Sequence, residues 1–173
     1  MKRSPLPKRA FGWYQPKKKE PKLPKEATPK QKPRKLQELK HNELEEKLDD
    51  AISEYVRRIA SMPGGFVRCV TCRDIAHWKE FDCGHYISRV FRWTRWDLKN
   101  LGVQCPHCNR FIGGAQHIMR AHLVKLHGDE VITNMEYEAT LHGETRRDRE
   151  WMLEQIAYWR AELRRIRKNG CGD

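Results

Sequence analysis

No stretch of this 173-residue chain approaches the length of a bilayer-spanning helix, and its first residues hold no apolar signal core. The expectation is a protein that stays in the cytosol and makes no membrane contact. Acidic residues are nearly missing from the first 35 positions, where two Glu face thirteen Lys and Arg. Proline is scarce outside that segment, which holds seven of the nine. So much proline and so much charge of one sign exclude a helix or a sheet interior there. Residues 1–35, with Lys17, Lys18 and Lys19 at their centre, are expected to be a disordered polycation. Such an arm displaces counterions from nucleic acid and binds more weakly as salt rises; a solubilising tail is the plainer alternative. From residue 36 onward 22 basic residues nearly balance 21 acidic ones, which suits one modest domain over residues 36–173.

Cysteine is also sparse, with six in all, yet four of them fall into two pairs, Cys69-x-x-Cys72 and Cys105-x-x-Cys108. In a reducing compartment paired thiols point to metal rather than to disulfides. Each C-x-x-C turn presents two sulfurs, and Zn²⁺ accepts four thiolates tetrahedrally. With all four ligands committed, such a zinc is structural. A redox dithiol or ordinary buried cysteines are the alternatives. Cys83 and Cys171 have no partner at ligand spacing and are read as free thiols.

Hydrophobic periodicity places the elements. Leu44, Leu48, Ile52, Tyr55, Val56 and Ile59 recur at helical steps and predict a helix over residues 36–60, stopped by Pro63-Gly64-Gly65. Residues 66–70 and 77–86 read as two strands. Pro106 opens a short helix carrying Cys108 and Asn109, interrupted at Gly113-Gly114. Helices are expected over 116–126 and 130–139. A long final helix over 145–169 opens with a Thr145/Asp148 capping box. Its narrow stripe of Met152, Ile156, Trp159, Leu163 and Ile166 suits packing on the first helix, with a homodimer seam as the rival use.

Between the thiol pairs lies Asp82-Cys-Gly-His85. A neutral imidazole can take a proton from water attacking phosphorus, which makes His85 the candidate general base. Asp82 and Asn109 offer the hard oxygen donors that Mg²⁺ or Mn²⁺ prefers, although an Asx turn and a helix cap are ordinary uses for them. Asn100 is read as a loop brace. In Ser88–Trp96, Arg89, Arg92 and Arg95 alternate with Phe91, Trp93 and Trp96. Arginines there can clamp phosphates and an exposed Trp93 can stack on unpaired bases; a small core with solvated arginines is the alternative. Arg110, beside Asn109, joins the expected DNA-binding set. His107, His117, His122 and His127 are assigned to the basic surface or a helix end, not to metal.

The order Cys-x-x-Cys, Gly-His85, Asn100-Leu, Cys-x-x-Cys-Asn109 resembles the HNH, or ββα-metal, endonucleases. Cys69-Val-Thr-Cys72, Asp82-Cys-Gly-His85-Tyr86, Gln104-Cys105-Pro-His-Cys108-Asn109 and Gly113-Gly114 are similar, more closely, to the NinG/Rap family of lambdoid phages. The resemblance spans about residues 51–139. It implies an α+β fold with a zinc-stapled ββα-metal core (residues 66–143) flanked by helices. It also implies a metal-dependent nuclease of branched DNA, such as D-loops and Holliday junctions, working in a bacterial host's cytoplasm. Within it His85 is the base, Asn100 the middle residue of the triad and Asn109 a metal ligand, cleavage leaving 5′ phosphate and 3′ hydroxyl ends. Two departures stand out: an acid or histidine usually precedes the base, where this chain has Gly84, and an N-terminal cysteine cluster of some relatives is replaced by Lys/Pro sequence. The rival expectations are a non-catalytic zinc-ribbon DNA-binding protein and an HNH nuclease without branch preference.

Overall fold

A computed structural model describes residues 35–168 and Gly170; the basic arm with Lys17, Lys18 and Lys19, and Cys171, lie outside the described residues. The first long helix, α1, covers His41–Ile59. Its start is fixed by Glu43, whose carboxylate accepts the Lys40 backbone N–H at 2.6 Å. Residues 36–38 form a separate 3-10 turn rather than part of α1 as expected. Leu44, Leu48, Ile52 and Val56 are buried as the periodicity predicts, but Ile59 is 53 % exposed because α1 ends there.

The long C-terminal helix, Arg149–Lys168, lies against α1. Met152, Ile156, Trp159, Leu163 and Ile166 are all buried and share one core with the α1 stripe. The seam is thus filled within the chain. Each fully buried Leu or Ile contributes roughly 1.5–3 kcal/mol, so this helix pair anchors the domain. Its start differs from expectation. Asp148 Oδ1, not Thr145, accepts the backbone N–H of Trp151 at 2.9 Å and caps the first turn.

Two antiparallel hairpins sit beside the helix pair. The first joins β1 (Phe66–Arg68) to β2 (Ile75–His77), and the second joins β3 (Asp82–His85) to β4 (Leu101–Gln104). The single strand expected over 77–86 is therefore split between two sheets. The break is a 3-10 turn at Trp78–Glu80, where the buried Trp78 ring lies under the Arg58 guanidinium at 4.3 Å. Arg57 Nη1 donates to the Phe81 carbonyl at 3.1 Å, tying this turn to α1 and setting where β3 begins.

After β4 the chain makes one wide helical turn, His107–Phe111, closed by the Ile112 N–H donating to the His107 carbonyl. Gly113 and Gly114 follow with φ of 63° and 76°, a left-handed corner that only glycine adopts without strain. The corner launches α2 (Gln116–His127); α3 (Asp129–His142) returns antiparallel to it and runs longer than residues 130–139. Arg120 on α2 staples the pair, bonding Asp129 and Glu136 on α3 at 3.0 and 2.8 Å. The domain is thus α+β. No helix among the described residues is long and apolar enough to cross a membrane.

Candidate metal centre and adjoining cleft

The four paired cysteines converge. Their sulfurs all lie within 4.8 Å of one another, and Cys72 Sγ is 3.7 Å from Cys105 Sγ. A tetrahedron with metal–sulfur bonds of about 2.3 Å has edges close to that separation. Backbone N–H groups already point at the sulfurs, Cys105 N to Cys69 Sγ and Cys108 N to Cys105 Sγ, each at 3.4 Å. Such donors favour thiolates over thiols, so the set fits a metal ion such as zinc. One pair follows β1 and the other follows β4, so the ion would pin the two hairpins together. Cys83 stays apart from this group, and burial pushes its thiol up to about 12, leaving it inert.

Beyond the second thiol pair opens a cleft of about 450 Å³ bordered by Asp82, His85, Arg89, Asn109, Arg110 and Gly113-Gly114. His85, at the end of β3, is half-buried. Its Nε2 lies 3.1 Å from the Arg95 carbonyl, a contact that needs a proton on Nε2 and leaves Nδ1 as an acceptor. Arg89 Nε donates to that Nδ1 at 3.4 Å. Burial, reinforced by the Arg89 charge, lowers the His85 pKa to about 4, so the ring is neutral at physiological pH.

Asp82, at the other end of β3, receives two Arg110 hydrogen bonds of 2.7 Å each and the Asn109 amide at 3.1 Å. The Arg110 guanidinium, with Asn109 behind it, holds the Asp82 carboxyl below the usual range despite partial burial. Among the described residues no second His/Cys/Asp/Glu cluster of metal-holding size exists. Asn109 turns its amide nitrogen toward Asp82, and Arg110 occupies both Asp82 oxygens, so a hard divalent cation would need Arg110 to leave and the carboxamide to turn.

The pairing register explains the glycine before His85. Gly84 faces Gly102, and a Cβ on residue 84 would sit 2.1 Å from the Gln104 Oε1 and 3.1 Å from the Met119 methyl. Gln104 cannot retreat, because its Nε2 donates to Thr71 Oγ1 at 2.7 Å and to the Gly114 carbonyl at 2.6 Å. An acidic side chain at position 84 therefore has no room, and Asp82 is the nearest carboxylate on β3.

Three of the expected DNA contacts are placed elsewhere. Arg95 is held by Asp49 and Glu45 of α1, and Arg92 Nε bonds Glu45 at 2.8 Å. Their opposite charges lie more than forty residues upstream, so both guanidiniums are already partnered. Trp93 is covered on both faces, by the His142 ring at 3.6 Å and the Arg147 guanidinium at 3.5 Å, and offers no stacking surface. A further cavity of about 500 Å³ lies beside it, lined by Trp93, Trp96, Arg147 and Trp151 together with Asp97, Lys99 and Glu138. Asn100 is fully buried outside the cleft; Oδ1 accepts the Ile87 N–H at 2.6 Å and Nδ2 donates to the Ile87 and Thr94 carbonyls. It is the loop brace expected of it. Arg89 and Arg110 are the expected contacts that reach the cleft.

The family model described as bacteriophage lambda NinG protein matches residues 8–169. The chain belongs to the NinG family. Comparison with curated proteins and with solved structures gives no significant match. In this NinG-family chain Glu45 and Asp49 carry a role that the apolar stripe of α1 does not signal. Together they hold Arg95, whose carbonyl orients His85. Their four-residue spacing was visible; the arginines that needed them were not assignable without the fold. Gln104, read only as part of a motif, fills the interior behind the cleft.

Proposed function

We propose that this NinG-family protein is a divalent-metal-dependent DNA endonuclease of the HNH, or ββα-metal, type, acting on branched recombination intermediates such as D-loops and Holliday junctions. The observation that carries the reading is the single cleft joining His85, Asp82 and Asn109, with two arginines, Arg89 and Arg110, at its edge. An antiparallel hairpin followed by a helical turn supplies all three, and His85 and Asn109 stand in the order that the HNH resemblance implies. Asp82, three residues before the base, departs from it, and Asn100, by resemblance the middle residue of the triad, is buried outside the cleft. The tetrathiolate centre would hold a structural zinc, and the branch preference follows from the resemblance to NinG/Rap endonucleases.

His85 is suited to the base. Its Nε2 proton is committed to the Arg95 carbonyl, so Nδ1 takes the proton of a water whose oxygen bonds to phosphorus as the bond to the 3′ oxygen breaks. A phosphate drawn to Arg89 would offset the charge that lowers the His85 pKa, raising its basicity when substrate is present. Asp82 and Asn109 would hold Mg²⁺ or Mn²⁺, which supplies charge stabilisation to the phosphate and the leaving oxygen. Arg110, freed from Asp82, is placed to meet a phosphate.

The test compares four-way junction, D-loop and linear duplex at one salt concentration, using wild type and His85→Ala. The expected result is divalent-metal-dependent cleavage of branched substrates. His85→Ala should lose about 10²–10⁴-fold in rate and keep its DNA affinity. Binding with no cleavage by wild type would leave the zinc-ribbon DNA-binding reading in its place. Equal cleavage of linear duplex would remove the branch preference.

A further inference from the structure

Away from the cleft, a groove of about 420 Å³ runs between the C-terminal end of α1 and the C-terminal half of α2, over β4. Val56, Val70 and Val103 line its base, and four large apolar side chains stand open to solvent along it: Ile59 at 53 %, Met62 at 41 %, Leu98 at 38 % and Leu126 at 61 % exposure. Scattered exposed apolar residues are ordinary, but a contiguous set around a groove marks an interaction surface.

The rim is basic. Arg68, Arg73, His122 and His127 border the groove, and no Asp or Glu does. Among the described residues neither Arg68 nor Arg73 has a carboxylate partner; Arg68 instead reaches the Arg73 carbonyl at 3.5 Å. Arg73 is mounted rigidly, in a left-handed conformation with φ of 70° inside the first thiol turn, its N–H donating to the Cys69 carbonyl at 3.1 Å. Burial, then the charges of Arg73, His127 and Lys125, lower the His122 pKa.

Charge selects among occupants. Residues 1–35, with thirteen Lys and Arg, carry the same sign as this rim and so lack the complementary charge. A nucleic-acid backbone would meet the arginines but would leave the apolar base without a match. We propose that the groove docks a short acidic segment of a partner protein, seating apolar side chains among Ile59, Met62 and Leu126 and pairing its carboxylates with Arg68 and Arg73. This inference does not depend on the chemistry of the cleft. Apolar anchors inside a charged rim are the usual division between affinity and specificity at such sites.

Fluorescence anisotropy with a labelled synthetic peptide alternating Asp with Leu and Phe tests it on the full-length, metal-loaded protein. Two control peptides carry Asn for Asp, or Ser for Leu and Phe. The expected result is micromolar binding of the first peptide alone, weakened about tenfold or more by Arg68→Glu/Arg73→Glu and by Leu126→Ser. Retained metal content and helical circular dichroism show that each variant is folded, and Leu126→Ala replaces Leu126→Ser where they are lost. The proposal fails if the three peptides bind alike, if the variants bind as wild type does, or if a single-stranded oligonucleotide occupies the groove in their place. It fails equally if sedimentation shows a dimer that Leu126→Ser dissociates, since the groove would then hold a second copy.

Discussion

At the scale of single residues, His85 and Gly84 show how strongly a hairpin can specify a site. His85 is neutral in the fold with a pKa near 4, whereas an unfolded histidine titrates near 6.5. The unfolded chain therefore binds a proton that the native state refuses. Stability from this residue is complete above about pH 6.5 and falls as pH drops toward 4, by no more than about 1.4 kcal/mol per pH unit. Urea titrations at pH 7 and pH 5 should show this slope in wild type and its loss in His85→Gln. At limiting DNA cleavage should hold its rate down to about pH 5, whereas at saturating DNA, with a phosphate on Arg89, the fall should begin at a higher pH. Gly84→Ala, which forces a methyl into the Gln104 carboxamide, should cost about 1–3 kcal/mol and lower the urea midpoint. A midpoint unchanged from wild type would mean that Gln104 moves aside freely.

At the scale of elements, the segment between β3 and β4 depends on α1. Glu45 and Asp49 gather Arg92 and Arg95, and Asp49 also accepts the Trp96 indole N–H at 2.7 Å. Asp49→Ala strips the Arg95 guanidinium of its shorter carboxylate contacts and leaves it Glu45 at 3.3 Å, and the expected loss is about 1.5–3 kcal/mol. Because the Arg95 carbonyl orients His85, the same variant should slow cleavage and raise hydrogen exchange over residues 88–97 while exchange in α2 stays as it was. The helices were legible in the sequence because a 3.6-residue stripe survives without knowledge of partners; the stripe from Met152 to Ile166 is buried throughout. The strand over 77–86 was misread because alternation does not reveal a turn made by one buried tryptophan. Arg92, Arg95 and Trp93 were misread for a related reason: their partners lie far away in sequence, and only the fold brings them near. The thiol pairs were legible because local spacing alone brings each pair of sulfurs together.

At the scale of the whole molecule, stability and architecture meet at the four sulfurs. Thiol modification with a mercurial, which displaces a bound ion, should release one metal per chain and lower the thermal midpoint cooperatively, with loss of cleavage and of junction binding together. Atomic emission on the purified protein checks the stoichiometry, and one equivalent resistant to mild chelation is expected. Melting unchanged after release would remove the metal from the account of the fold. The basic arm adds a separate term: deleting residues 1–35 should flatten the salt dependence of DNA affinity and spare the cleavage rate at saturating DNA.

The two thiol turns belong to different hairpins, and each lies next to a different surface. Cys72 precedes Arg73 on the groove, and Cys108 precedes Asn109 in the cleft. Losing the ion should therefore loosen both surfaces at once, and metal-stripped protein is expected to lose peptide docking in the groove and DNA cleavage together.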